Sequence, residues 1–327
     1  MESYLDRPVF VCGHRRSGTT LLINLLDSVN EAIVYPDDSG FFYMYYPLCE
    51  TMDDTNEDKI YRLVNKVAIE NLGSLIDKQK CTINEKEKLY KQQKKFIDKL
   101  KNFNKKQFTT RDILKYFIKS FGEVFLDGIK PKFWVEKTTS SEIYAIEMKK
   151  WFPDAKFIHV IRDPRDIWSS LMSGWDRRYS KYNTSKNNLM HSMIERGVLG
   201  FQMAIDNQIN IGKSNYHVVR YEDLVDNPDN TMKNIANFMD IDFSKNLLTP
   251  STFGINWRGN NFSGDKFNGI SNNNSEKWKS RISEKDAMLI EYYFSSLMEE
   301  FGYKLQFDLD ECQKQAIEHY KWYNFRD

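Results

Sequence analysis

The sequence predicts an α/β fold in which a parallel β-sheet is flanked by helices. Short apolar, β-branched runs alternate with longer stretches whose apolar residues recur at helical spacing, which is typical of βα units. Three of these runs, at 9–12, 155–161 and 216–220, are each followed by polar residues or glycine and then by a helical pattern. The chain of 327 residues can bury one large core, and we expect 1–327 to form a single domain.

The first unit is a strand, a loop and a helix between Val9 and Leu26. Its loop runs from Gly13 to Gly18 and ends at a predicted helix N-terminus. Such a position collects free backbone N–H groups and the positive end of the helix dipole, and both favour a bound anion. The unit therefore predicts a phosphate-binding loop.

The loop nearly matches the nucleoside-triphosphate motif G-x-x-x-x-G-K-[ST], with one decisive departure. Thr19 stands where that motif has the lysine that reaches the β- and γ-phosphates. Its cations lie inside the loop instead, at Arg15 and Arg16. The pattern argues against ATP or GTP and favours a shorter phosphate-bearing donor, although the loop alone is also compatible with a small-molecule kinase.

A second motif follows the apolar run at 155–161, which contains His159, expected to be a core residue. Arg162 comes directly after that run, Asp163 and Pro164 are typical of a helix start, and Ser170 lies about two turns into the helix. A guanidinium at a strand end and a hydroxyl on the following helix can reach one phosphate. We expect these two side chains to bind the same anion.

Together, the run from Arg16 to Leu21 and the R-x7-S spacing of Arg162 and Ser170 resemble the sulfotransferases that use 3′-phosphoadenosine 5′-phosphosulfate (PAPS). In that family the first loop holds the 5′-phosphosulfate and the second motif holds the 3′-phosphate. The resemblance implies a P-loop-like sulfotransferase fold and a sulfuryl transfer from PAPS to a hydroxyl or an amine, with no metal. It further implies a helical insertion, at about 51–125 here, that forms the wall of the acceptor pocket.

The resemblance also implies which residues bind the donor. Tyr221 opens a Y-E-D-L segment that often borders the nucleotide, and the loop from Asn256 to Trp278 is long enough to act as a lid. Ser263, Lys277 and Trp278 match positions that bind PAPS in some relatives. The full predicted donor set is Arg15, Arg16, Ser17, Gly18, Thr19, Thr20, Arg162, Ser170, Tyr221, Ser263, Lys277 and Trp278.

Arg16, Lys137 and a carboxylate are the predicted catalytic groups. Asp38 follows a short strand at 32–35, which we expect to neighbour the phosphate loop, and related enzymes carry an acidic residue there. Glu136 and Lys137 belong to a segment resembling W-x-[DE]-K-T-P, although Thr139 replaces the proline. We favour Asp38 as general base because Lys137 is expected to keep Glu136 ionised with a low pKa. Alternatively, Asp38 caps the next helix, and Glu136 and Lys137 are a strand-end ion pair.

Composition excludes several other classes of protein. The net charge of +1 gives no support for nucleic-acid binding, and the four cysteines and five histidines show no metal-ligand or disulfide spacing. The sequence shows no leader and no apolar run long enough to span a membrane, so we expect a cytoplasmic enzyme without a membrane partner. The lysine-rich piece at 78–106 is expected to be a solvated helix face; the alternative is that it attracts an acidic acceptor.

Two other functions remain open on the sequence. One is a nucleotide-dependent small-molecule kinase, which requires magnesium. The other is a non-catalytic nucleotide-binding protein on the same scaffold. The acceptor, whether a small molecule, a glycan or another group, and the oligomeric state are not determined by the sequence.

Overall fold

A five-stranded parallel sheet forms the centre of the protein, with strand order β2-β3-β1-β4-β5. The computed structural model describes residues 3–44, 56–103, 109–126, 128–182, 185–259 and 269–324. The strands are β1 (Pro8–Cys12), β2 (Ala32–Asp38), β3 (Phe133–Lys137), β4 (Lys156–Ile161) and β5 (Tyr216–Arg220), with a small antiparallel pair, β6 (Ser251–Thr252) and β7 (Ile255–Asn256). The predicted α/β fold is confirmed.

The strand order corrects one expectation from the sequence. β3 lies between β2 and β1, pairing Val135 with Val9 on one side and with Val34 on the other. The strand before Asp38 is therefore not adjacent to the strand that leads into the phosphate loop, and it approaches that loop only through its packing on the helix after the loop and through Lys137 of β3. The hydrophobic pattern gives the strands but not their lateral order. β2 is also longer than predicted, because it continues through Pro36, which an edge strand tolerates.

Helices cover both faces of the sheet. The helices are α1 (Thr19–Leu26), α2 (Phe41–Met44), α3 (Asn56–Arg62), α4 (Leu72–Lys78), α5 (Ile83–Lys101), α6 (Thr110–Phe125), α7 (Ala145–Trp151), α8 (Pro164–Met172), α9 (Lys186–Ile211), α10 (Tyr221–Asp226), α11 (Pro228–Met239), α12 (Trp278–Arg281), α13 (Glu284–Glu300) and α14 (Leu309–Asn324). One face packs against α1, α10 and α11, and the other against the helical insertion and α7, while α8, α9, α13 and α14 build a third apolar cluster beside β4.

β1 shows why the sheet is buried on both sides. Every one of its residues is buried. Val9 and Val11 pack on the α1 side, whereas Phe10 belongs to the opposite cluster, because successive side chains of a strand point to opposite faces. Phe10 meets Trp134 edge to face at 5.4 Å between ring centroids. The strand that leads into the phosphate loop is thus fixed from both sides.

The predicted helical insertion is confirmed over its described residues. A π-helical stretch, Leu63–Asn71, joins α3 to α4, and capping boxes at Thr82 and Thr109 start α5 and α6. The apolar side of α5 packs on α6, while most of its lysines are exposed. No helix among the described residues is long and apolar enough to cross a membrane.

Candidate active site

The phosphate loop between β1 and α1 has a backbone that requires its glycines. Gly13 and Gly18 have φ values of 140° and 105°, in the region that side chains disfavour. A Cβ on Gly13 would lie 2.3 Å from the carbonyl oxygen of Val160, and one on Gly18 would lie 2.4 Å from the ring of Tyr221. The loop is therefore packed between the end of β4 and the start of α10.

The free N–H groups of the loop lie at the start of α1. The N–H of Ser17 donates to the carbonyl of His14 at 3.0 Å, and that of Leu21 donates to the carbonyl of Gly18 at 2.9 Å. The first N–H groups of a helix have no acceptor within the helix. The N–H groups of 18–20 are therefore the candidate donors to an anion, whereas the Ser17 N–H is used inside the loop.

The second motif has the predicted local structure. Asp163 caps α8, accepting the N–H of Arg165 at 2.9 Å, and Pro164 occupies the first turn. The Asp163 N–H donates in turn to the half-buried carboxylate of Glu222 at 3.0 Å. This contact ties the motif to α10, so Arg162 leaves β4 in a fixed direction.

The structure brings the two motifs into direct contact. Arg16 Nε donates to Ser170 Oγ at 2.9 Å, and Arg162 donates to the carbonyl oxygen of Arg16 at 3.0 Å. The guanidinium of Arg162 lies 4.4 Å above the ring of Tyr221. Burial, and secondarily the positive charge of Arg162, lower the pKa of Arg16 to about 10. Two cations held this close in a partly buried site favour an anion between or beside them.

A cavity opens at this junction. Of the predicted donor-binding residues, Arg16, Gly18, Thr19, Thr20, Arg162, Ser170 and Tyr221 line it. Sequence reasoning missed further lining residues, of which Ser169 and Ser173 are signalled by their place beside and one turn beyond Ser170. Asn274, Trp257 and Arg281 come from irregular or short segments without a motif.

Four of the predicted donor residues do not line this cavity, and a fifth, Ser263, lies outside the described residues. Arg15 turns away to donate to Ser192 at 3.2 Å. The ring of Trp278 is buried under the guanidinium of Arg165, at 4.2 Å. The backbone N–H of Trp278 donates to the Asp166 carboxylate at 2.9 Å. The remaining two are Ser17 and Lys277.

Asp38 and Lys137 meet beside the start of α1. Lys137 Nζ lies 3.5 Å from Thr20 Oγ1 and 3.6 Å from an Asp38 carboxylate oxygen. A lysine from β3 thus reaches the loop that lacks one at Thr19. Asp38 accepts the N–H groups of Gly40 at 3.0 Å and Thr139 at 3.1 Å, and its side chain is 33% exposed.

Glu136 has a different environment from the predicted one. It is fully buried and accepts hydrogen bonds from the hydroxyls of Ser39 and Thr138. Burial raises its pKa to about 7, while these two hydrogen bonds lower it and Lys137 lowers it less. The prediction that Lys137 keeps Glu136 at a low pKa is therefore wrong. Neighbouring residues of a strand point to opposite faces, and Lys137 pairs with Asp38 instead.

His159 lies in the core beneath the loop. It is buried, its Nδ1 lies 2.9 Å from the hydroxyl of Tyr216, and burial lowers its pKa to about 3. A neutral, hydrogen-bonded histidine fits the expected core role. Among the described residues, no group of three or more His, Cys, Asp or Glu side chains could hold a metal ion.

Comparison with known proteins decides the family. Residues 8–245 match the model of the family described as Sulfotransferase family. The chain belongs to the sulfotransferase family. The match begins at β1 and contains both candidate phosphate-binding motifs, β3 and the whole five-stranded sheet.

Solved structures agree with this sulfotransferase assignment at the level of the fold. The sulfotransferase domain of the Synechococcus PCC 7002 olefin synthase is similar over 92% of this chain and 96% of its own, with a TM-score of 0.59 and 19% identity. The sulfotransferase domain from the curacin biosynthetic pathway is similar over 91% and 98%, with a TM-score of 0.57 and 16% identity. These likenesses show a shared fold.

One curated relative adds a closer but shorter likeness. Protein-tyrosine sulfotransferase A of Caenorhabditis elegans is 30% identical over 104 residues. That stretch is 32% of this chain and only 26% of the relative. The chain therefore matches about a quarter of that protein.

The cavity of this sulfotransferase has a lining that fits an anionic ligand. Within the described part of the chain, Arg162 Nε and Ser169 Oγ are buried without a hydrogen-bond partner, and both residues line the cavity. Leaving buried donors unpaired costs free energy, and an anion would satisfy them. The residues present thus fit a ligand with a phosphate at the R-x7-S motif and a second acidic group at the loop.

Proposed function

We propose that this sulfotransferase transfers the sulfuryl group of PAPS to a hydroxyl or an amine of an acceptor. The observation that carries the proposal is the hydrogen bond between Arg16 and Ser170, at 2.9 Å. This bond places the phosphate loop, which would bind the 5′ side of the donor, and the R-x7-S motif, which would bind its 3′ side, at one cavity. A donor with phosphates at both the 3′ and 5′ positions of one ribose needs two anion sites in one cavity.

The proposed roles of the donor-binding residues follow from their positions. The N–H groups at 18–20 and the guanidinium of Arg16 hold the 5′-phosphosulfate. Arg162 and Ser170 hold the 3′-phosphate. The ring of Tyr221 supports the Arg162 guanidinium from below at 4.4 Å. The hydrogen bonds from the two arginines to the phosphates are charge-assisted and therefore stronger than neutral ones.

The proposed reaction is an in-line displacement at sulfur. The acceptor oxygen or nitrogen forms a bond to sulfur, the bond between sulfur and the 5′-phosphate oxygen breaks, and adenosine 3′,5′-bisphosphate leaves. Arg16, Lys137 and the helix N-terminus stabilise the negative charge on the equatorial and leaving oxygens. The acceptor proton passes to a carboxylate. No step requires a metal ion.

We assign that carboxylate to Asp38 and keep Glu136 as the alternative. The assignment now rests on access: Asp38 is partly exposed beside Lys137, whereas Glu136 is enclosed by Ser39 and Thr138. A general base must come within hydrogen-bond reach of the proton that it accepts. Glu136 would need the Ser39 segment to move before it met an acceptor.

The helical insertion is the proposed acceptor wall. The segments from α3 to α6 stack on the face of the sheet that carries Phe10, next to the β2 end that presents Asp38. A small molecule, a glycan or a peptide would enter from this side. Most lysines of α5 are exposed, which suits the expected solvated face.

A kinase is the second candidate, because Lys137 stands close to Thr20 and could replace the missing loop lysine. Thermal unfolding distinguishes the two. We expect adenosine 3′,5′-bisphosphate to raise the melting temperature in EDTA, and ADP with magnesium to have a smaller effect. The reverse order would favour the kinase. Turnover of PAPS with a panel of alcohols, phenols, amines and sugars then separates an enzyme from a non-catalytic binder.

A further inference from the structure

A fully buried carboxylate lies under the phosphate loop and takes no part in the proposed chemistry. Glu142 follows β3 in a short 3-10 helix, Ser141–Tyr144, and is 1% exposed. Its Oε2 accepts the N–H of Gly13 at 3.0 Å. Two residues before it, the N–H of Ser140 donates to the Gly13 carbonyl oxygen at 2.8 Å. The segment 140–142 therefore hydrogen-bonds both the backbone N–H and the carbonyl oxygen of Gly13.

Two residues of α9, Asn207 and Gly200, lie beside Glu142. Asn207 of α9 donates its side-chain N–H to the Glu142 carbonyl at 2.9 Å and to the hydroxyl of Tyr216 at 3.2 Å. Gly200, two turns before Asn207 on the same face of α9, leaves space for the carboxylate, because a Cβ there would lie 3.2 Å from Glu142 Oε1. Glycine inside a helix costs about 1 kcal/mol relative to alanine, and this contact gives it a reason.

Burying this carboxylate is unfavourable on its own. Burial raises the pKa of Glu142 to about 7, against the effect of its hydrogen bond from Gly13. An apolar side chain would fill the same place without this cost but would leave the Gly13 N–H unpaired. The group is therefore better explained by what it does for the loop.

We propose that Glu142 is a positioning residue for the 5′-phosphosulfate, acting through the backbone of Gly13. The backbone at Gly13 is in the left-handed region, and a Cβ there would lie 2.3 Å from the Val160 carbonyl oxygen, so this position is restricted to glycine. Fixing the Gly13 backbone sets the path of the chain into Gly18 and the start of α1, whose N–H groups face the anion. Glu142 does not touch the R-x7-S motif. The inference rests on the proposed function.

The test compares ligands that use one half of the site. Adenosine 5′-phosphosulfate reaches the loop but lacks a 3′-phosphate, and adenosine 3′-monophosphate reaches only Arg162 and Ser170. Isothermal titration calorimetry would measure both with the wild type, Glu142→Ala and Glu142→Gln. The matched control is Glu147→Gln on α7, a carboxylate nearby in the chain that pairs with Lys150 at 3.1 Å on the surface.

We expect Glu142→Ala to weaken adenosine 5′-phosphosulfate by about tenfold and to leave adenosine 3′-monophosphate unchanged. Glu142→Gln keeps an acceptor without the charge and should lose about threefold, again only on the 5′ side. Glu147→Gln should match the wild type. Equal losses for both ligands, or no loss for the 5′ ligand, would overturn the assignment.

Two further results are interpretable. If Glu142→Ala does not fold, as judged by its circular dichroism, Glu142→Gln decides the question by the same selective loss. The wild type reports separately on the proposed function through its binding of adenosine 3′,5′-bisphosphate. If the wild type does not bind that ligand, the proposed function fails and the role of Glu142 fails with it; if it binds but the variants match it, only the role of Glu142 fails.

Discussion

Replacing Arg162 by alanine should separate the 3′-phosphate site from the rest of the cavity. Arg162 leaves β4 toward the cavity, lies 4.4 Å above Tyr221 and keeps a buried Nε without a protein partner in the described chain. A charge-assisted hydrogen bond contributes about 1.5–3 kcal/mol, which corresponds to a loss of about 10- to 150-fold in affinity. We expect that loss for adenosine 3′,5′-bisphosphate, measured by isothermal titration calorimetry.

The same variant should change the affinity for adenosine 5′-phosphosulfate by about threefold at most, through its lost bond to the Arg16 carbonyl at 3.0 Å. Arg220→Ala is a matched control: Arg220 ends the neighbouring strand β5 and lies 4.4 Å above Tyr303, outside the cavity. It should bind both ligands like the wild type. Equal losses for the two ligands in Arg162→Ala would refute the assignment of Arg162 to the 3′-phosphate.

Four further predictions concern catalysis and stability. Arg16→Ala should lower turnover of PAPS by about 10²–10³, and EDTA should not affect the wild type; activity that EDTA abolishes and magnesium restores would favour the kinase. Asp38→Asn should reduce single-turnover rates by about 10²–10⁴ with donor binding retained, and a fast Asp38→Asn beside an inactive Glu136→Gln would reverse the assignment of the base. Burial raises the pKa of Glu136 to about 7, so its contribution to the free energy of unfolding is fully present below about pH 4 and is lost as pH rises through 7. Between pH 5 and 8 the melting temperature of Glu136→Gln should therefore fall less than that of the wild type. Parallel melting-temperature profiles for the two proteins would contradict this. Trp134→Ala removes a fully buried indole that donates to the Leu5 carbonyl at 3.1 Å; urea unfolding should show a loss of about 3–5 kcal/mol, and a loss under about 1 kcal/mol would show that the site repacks.

The local structure of the two candidate phosphate-binding motifs could be predicted from the sequence because each combines a local pattern with residues of fixed chemistry. Gly13 and Gly18 mark backbone conformations that other residues disfavour, and Asp163 with Pro164 marks a helix start. Local signals of this kind depend on neighbours in the chain. The contact between Arg16 and Ser170 was implied only by the expectation that both motifs bind one donor.

The environment of the two candidate bases could not be predicted in the same way. The lateral position of β2 depends on how the strands pair, which the local pattern does not contain, and Pro36 hides the last residues of that strand. The alternation of strand side chains, by contrast, already indicates that Lys137 faces away from Glu136 and does not keep the Glu136 pKa low. Ser39, which binds Glu136, has no signal in the sequence.

Binding of adenosine 3′,5′-bisphosphate to the wild type, measured by isothermal titration calorimetry in EDTA, tests most directly whether the two motifs form one donor site. Adenosine 5′-monophosphate and adenosine 3′-monophosphate each engage one half of that site. We predict that the bisphosphate binds at least about tenfold more tightly than either monophosphate, since each phosphate adds a charge-assisted hydrogen bond. A bisphosphate that binds no more tightly than adenosine 5′-monophosphate would contradict the account.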